Sequence, residues 1–367
     1  MKRKINSLYI HIPFCQHLCG YCDFTKMFYL RPFVSKYIKE LVKQIDNLGK
    51  VKFKTIYIGG GTPSSLSPYL LELLLSALSK HKLSSTEFTI EINPEPMNKK
   101  KLMLMKEYGI NRVSIGVQTF NDELLKIINR YHNKRQVIYW INKFNEAGIN
   151  NINVDLIYGL PSQTLEILKK DIEIVTSLNI THISSYSLTV SKGTAFYKDG
   201  IKEISDEASR AYYDLLYKEL KKKKFKRYEV SNFAKDKKYS KHNLNYWNAN
   251  EYIGVGLGAH GYENGVRYQN TSNIKEYLKG NYYVYKEELS QTEQIEEFVM
   301  LNLRKEEGFS KLEFKKRFKK DIREVFKNSL DNTIANKLLK ETKTRIKATY
   351  LGMMLLDSVL VKMFMEI

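Results

Sequence analysis

Apolar residues recur along the first half of this chain with two periods in turn. Short runs at 8–12, 55–58, 87–92, 113–117, 152–157 and 182–188 are continuous or alternating apolar and read as strands. Between them apolar residues return at helical spacing, as in Phe33, Val34, Tyr37, Ile38, Leu41, Val42 and Ile45 behind Pro32. Further helices are expected at 68–78, up to Gly109, around Leu124, Leu125 and Ile128 behind a capping Asn121, at 137–147, and at 165–178. The joints repeat as well: YGINRVSIG and AGINNINVD each read as helix end, glycine, Ile-Asn, strand.

Six strands alternating with helices predict an α/β fold, a parallel sheet with helical crossovers closed or part-closed into a barrel. Such barrels carry their chemistry at the C-terminal strand ends. The unusual residues stand at those ends: three cysteines after the first strand, Gly59-Gly60-Gly61-Thr62-Pro63 after the second, Glu91 on the third, Gln118 after the fourth and Asp155 on the fifth. Taken singly, each reads equally well as a loop cap or local ion pair; their convergence on one rim favours a ligand site.

Past residue 188 the pattern weakens. An amphipathic helix is expected at 208–220 and an edge ribbon at 228–233. The run His242-Asn243-Leu244-Asn245-Tyr246-Trp247 and a glycine-rich stretch, 254–261, follow. Residues 287–367 are lysine-rich and read as helical. The expected organisation is a core barrel over 1–240, a connecting region over 241–286, and a small, mainly helical, winged-helix-like C-terminal domain over 287–367.

Composition narrows the function. With 367 residues and 43% hydrophobic content the chain can bury a large core. No apolar run reaches membrane-span length and no secretory signal opens it, so a cytoplasmic location is expected. The formal net charge of +20 permits anionic partners: nucleic acid, the acidic surface of a membrane, or an organic acid such as a porphyrin. The lysines are spread along the chain, which reads first as a solvated surface.

The only three cysteines are Cys15, Cys19 and Cys22, spaced C-x3-C-x2-C. They cannot all pair, and a structural zinc of Cys3His type, with His11 or His17, lacks the usual second ligand pair. Thiolates hold iron–sulfur clusters, and three of them leave one iron of a [4Fe–4S] cube open to a small molecule. The glycine turn lacks the Gly-Lys-Ser/Thr of a nucleotide P-loop. Its bare backbone suits close approach to the amino-acid half of a metabolite, with Glu91, Gln118, Arg130 and Asp155 as polar contacts.

Together these features resemble the radical S-adenosylmethionine (SAM) superfamily, whose fold is a partial (β/α)6 barrel. YIHIPFC, GGGTP, GVQTF, DLIYGLP and HNLNYW resemble the coproporphyrinogen dehydrogenase family and, within it, the HemW-type haem chaperone branch. The resemblance implies that Cys15, Cys19 and Cys22 hold the cluster and that Tyr9, Tyr21, Gly60, Gly61, Thr62, Glu91, Gln118, Arg130 and Asp155 contact SAM. It further implies haem contacts at His242, Asn243, Tyr246 and Trp247, with imidazole as iron ligand and aromatics against the macrocycle. The plainer reading of HNLNYW is a turn anchored by a buried Trp247 with His242 on the surface.

Two departures from the dehydrogenase stand out. Phe24 occupies the place of its fourth cysteine, and the chain starts eight residues before Tyr9, without the long N-terminal segment. The expected function is therefore haem binding and delivery, with haem-accepting proteins and an electron donor as partners. Whether SAM is cleaved stays open, as does oligomeric state. Coproporphyrinogen III oxidation is the first rival, and nucleic-acid modification the second, since no RNA-binding module is recognisable.

Overall fold

A computed structural model describes residues 5–95 and 97–367. Its main sheet holds β1 (Ser7–Ile12), β2 (Phe53–Gly60), β3 (Lys82–Ile92), β4 (Arg112–Gln118), β5 (Asn151–Tyr158), β6 (His182–Ser187), β7 (Asn232–Ala234) and β8 (Ile253–Val255). In space the order is β8-β1-β2-β3-β4-β5-β6-β7, with Lys226–Arg227 outermost. Pairing is parallel from β8 to β6; β7 runs antiparallel and begins the expected edge ribbon. The two edges do not meet, so the barrel is open.

Helices cross between the strands: α1 (Arg31–Asp46), α2 (Pro68–Ser79), α3 (Lys99–Glu107), α4 (Asp122–Ile127), α5 (Lys134–Glu146), α6 (Leu165–Ser177) and α7 (Asp206–Lys222). Polar side chains cap them where the sequence places a start. Asn121 accepts from Glu123 N and Leu124 N, and Asn133 forms a capping box with Gln136.

Alternation along the strands explains both faces of the sheet. Ile56, Ile58, Phe88, Ile90, Val113, Ile115, Ile152, Val154 and Ile183 belong to one apolar core with the helices. The opposite positions, among them Glu91, Arg112, Ser114, Asn153, Asp155 and Ser184, line a single cavity. The concave face is thus polar for most of its depth.

Residues 241–286, read from sequence as a connecting region, are built into this unit. The helix α8 (Lys241–Trp247) packs on β2, β8 pairs with β1, and Ile253, Val255, Leu257 and Tyr277 join the main core. The strand β8 is three residues long and holds a glycine, so its periodicity was too short to read. The C-terminal part has a second core around Phe298, Phe309, Phe314 and Phe318. It contains α9 (Gln291–Leu303), α10 (Lys311–Phe318), α11 (Lys327–Ala335) and α12 (Leu356–Phe364), together with an antiparallel sheet of Phe309–Ser310, Arg345–Ala348 and Leu339–Glu341 that the sequence reading did not resolve. Among the described residues no helix is long and apolar enough to cross a membrane.

Candidate cofactor site

All three cysteines face one cavity of about 520 Å³ at the C-terminal strand ends, within the range of about 300–1,000 Å³ usual for ligand sites. Cys15 is buried, Cys19 and Cys22 half-buried. Burial pushes the Cys15 thiol up to about 11 and raises Cys22 also, a cost to the thiolate that a bound cation would offset. Among the described residues no three His, Cys, Asp or Glu side chains come close enough to share one metal ion. A cube takes each thiolate on a different iron, and three cysteines on one cavity fit such a cluster by their donor chemistry. His11 also has both ring nitrogens engaged, Nδ1 3.0 Å from Tyr9 Oη and Nε2 2.8 Å from Thr25 O.

The glycine turn is shaped by what it touches. A Cβ on Gly61 would stand 2.9 Å from Cys15 Sγ, and one on Gly60, where φ is +111°, 2.6 Å from the His11 ring. Thr62 Oγ1 donates to Cys15 Sγ at 3.5 Å and accepts from Asn93 Nδ2 at 3.1 Å. Asn93 Oδ1 in turn accepts from Arg130 Nη2 at 2.9 Å, and Arg130 Nη1 lies 3.5 Å from Cys19 Sγ. Burial works against the guanidinium charge, but Cys19, Tyr21 and Glu95 outweigh it and raise its pKa. A fixed cation thus stands beside the cysteine sulfurs.

Glu91 holds the wall opposite. Its carboxylate accepts from Tyr57 Oη at 2.7 Å and from Gly60 N at 3.0 Å, while burial lifts its pKa to about 7. Asp155, also raised by burial, accepts from Asn153 Nδ2 at 2.7 Å. Gln118 ends β4 with φ of +70° and lines the cavity with Tyr21. Tyr9 lies outside the lining, beneath it, stacked on Tyr57 at 6.2 Å.

The HNLNYW segment reverses the plainer reading. His242 is 1% exposed, and it is Trp247 that is half-buried. Thr55 Oγ1 donates to Ser7 Oγ, so it accepts from His242 Nδ1 at 2.8 Å; His242 Nε2 then accepts from Tyr246 Oη at 2.8 Å. Burial, with Arg112 nearby, lowers its pKa to about 3, so the ring is neutral. Glu87 caps the helix by accepting from Lys241 N at 3.1 Å and His242 N at 3.0 Å. Asn243 reaches the cavity itself. Among the described residues Trp247 Nε1 is buried with no hydrogen-bond partner.

Four contributors escaped the sequence reading: Tyr57, Asn93, Arg112 and Asn153. Arg112 is 1% exposed and lines the cavity, and its Nε has no hydrogen-bond partner among the described residues. An arginine opening the buried run RVSIGVQ was the available signal. Phe24, 67% exposed, stands at the rim.

The open parallel barrel and its three-cysteine cavity define a radical SAM protein, and the family model "Radical SAM superfamily" matches residues 9–175. A second model, "HemN C-terminal domain", matches residues 289–355. The chain belongs to the HemW family. It is 38% identical to "Heme chaperone HemW" of Lactococcus lactis subsp. lactis, covering 100% of this chain and 99% of the relative. For the proteins of that name in Bacillus subtilis and Escherichia coli, identity is 38% and 33%, each over 96% of this chain and 97% of the relative. In fold it is similar to coproporphyrinogen III oxidase (HemN) from Escherichia coli: TM-score 0.86, 21% identity, 99% of this chain and 91% of that one.

Proposed function

We propose that this chain binds haem and passes it to haem-requiring proteins, on a radical SAM scaffold that holds a [4Fe–4S] cluster and SAM. The observation that carries the reading is end-to-end similarity to relatives named haem chaperones, joined to a cavity whose cysteines, glycine turn and carboxylates suit cluster and SAM. When bound, such a cluster supplies an electron from a donor protein and an open iron for the amino and carboxylate groups of SAM.

The chain's own residues do the rest. Cys15, Cys19 and Cys22 ligate, Arg130 offsets their charge, and Gly60, Gly61 and Thr62 bring backbone against the ligand. Glu91 offers its carboxylate to a ribose or ammonium, with Gln118 and Asp155 beside it. For haem, Asn243 on the cavity and the half-buried Trp247 are the candidate contacts of the HNLNYW segment, in which only His242 is fully buried. Ligation through His242 Nε2 requires release from Tyr246 and an opening of the buried ring, while Nδ1–H keeps its bond to Thr55. Phe24 cannot supply sulfur at the rim, which favours haem handling over porphyrinogen oxidation. Three thiols maintained without disulfides suit a reducing cytoplasm.

The test is anaerobic reconstitution followed by parallel assays for 5′-deoxyadenosine, haem uptake and coproporphyrinogen III consumption. Haem uptake without porphyrinogen turnover is expected; efficient conversion to protoporphyrinogen would overturn the reading.

A further inference from the structure

The HNLNYW helix stands in continuous contact with the SAM side of the cavity. The His242 ring stacks on Tyr57, centroids 5.1 Å apart and planes at 27°. Tyr57 donates to Glu91 at 2.7 Å, and the other oxygen of Glu91 accepts from Gly60 N at 3.0 Å. His242 cannot drift, since both its nitrogens are tied and its backbone amide is held by Glu87. One residue on, Asn243 lines the cavity; its backbone N donates to Ser240, and among the described residues its side-chain amide makes no hydrogen bond.

We propose that this helix is a working part of the SAM pocket: Asn243 contacts the bound nucleoside sulfonium, and His242 is a positioning residue that fixes Tyr57 and through it Glu91. The proposal rests on SAM binding at this cavity. It assigns the segment a task besides haem contact and explains the geometry better than iron ligation. A ligand for haem iron needs a free ring nitrogen at an open face, and His242 has neither. The amide of Asn243 suits a ribose hydroxyl or an adenine edge, offering donor and acceptor together. Tyr57 would swing in a larger rotamer space without the ring beneath it, and Glu91 would lose a fixed donor.

The experiment uses the full reconstituted chain and reads the SAM-induced change in the cluster's electron resonance signal, with iron content and haem affinity measured on the same samples. His242→Ala, Asn243→Ala and Tyr57→Phe are each expected to weaken SAM about tenfold, the scale of one well-placed hydrogen bond, with iron retained. His242→Phe, which keeps a ring over Tyr57, should recover part of the loss. In the Tyr57→Phe background the His242→Ala change should cost less than alone. If His242→Ala loses iron through misfolding, Asn243→Ala and Tyr57→Phe carry the test. An unchanged SAM response in these variants, with haem uptake impaired, would overturn the proposal and return the segment to haem contact alone. No SAM response in the native chain would instead bring down the SAM reading beneath it.

Discussion

At the scale of single residues, the cavity works by holding charges where water is scarce. Glu91 shows the cost. Burial outweighs the donors Tyr57 and Gly60 and leaves its pKa at about 7, against 4.5 for the free side chain. Between those values the folded chain binds more protons than the unfolded one, so Glu91 makes stability fall as pH rises through that window. SAM binding has the opposite sign, because a ribose or ammonium is best accepted by the ionised form. SAM affinity is expected to fall several-fold from about pH 8 to about pH 6. Titrations of SAM against the native chain and Glu91→Gln check this. The variant should bind weakly with little pH dependence; a native affinity that is flat over the range contradicts the assignment. Asp155, whose pKa also rises on burial, acts in the same direction, and Asp155→Asn separates its share.

Among elements, α8 links the most. Its first amides are held by Glu87 of β3, its histidine by Thr55 of β2, and the residues just after it by the C-terminal part: Lys305 donates to Asn248 Oδ1, and Arg317 to Asn248 O and Ala249 O. Losing a helix cap of this kind costs about 1–2 kcal/mol. Glu87→Ala is therefore expected to lower the midpoint of thermal unfolding by about one to three degrees and to weaken SAM binding, since α8 sits under Tyr57. Unfolding of apo and reconstituted samples checks it; an unshifted midpoint would show that the cap contributes nothing. Little of this was legible in sequence. The six core strands and their helices were, because each carries its own period. The role of α8 was not, because His242 meets Thr55 across 187 residues and no local pattern records that bond.

The whole molecule combines a barrel whose concave face is polar with a separate aromatic core at the C-terminus. The cluster half of the site was readable because cysteine chemistry is local: three thiols within eight positions declare themselves. The floor was not, because Arg112 and Asn153 become a site only when β4 and β5 lie side by side, and Asn243, read as a haem contact, reaches the same cavity only through α8. The same separation matters for haem. The cysteines and the glycine turn stand at the strand ends, whereas the residues proposed for haem, Asn243 and Trp247, lie on α8 and share no sequence period with them.

The central claim, that the chain is a haem carrier, is tested most directly by titrating haem into the anaerobically reconstituted protein and following the Soret band, with Trp247→Ala in parallel. Saturable binding by the native chain, weakened several-fold in the variant while cluster absorbance is kept, is the expected result, since one large aromatic contact is worth a few kcal/mol at most. A titration that never saturates, with the cluster intact, would contradict it.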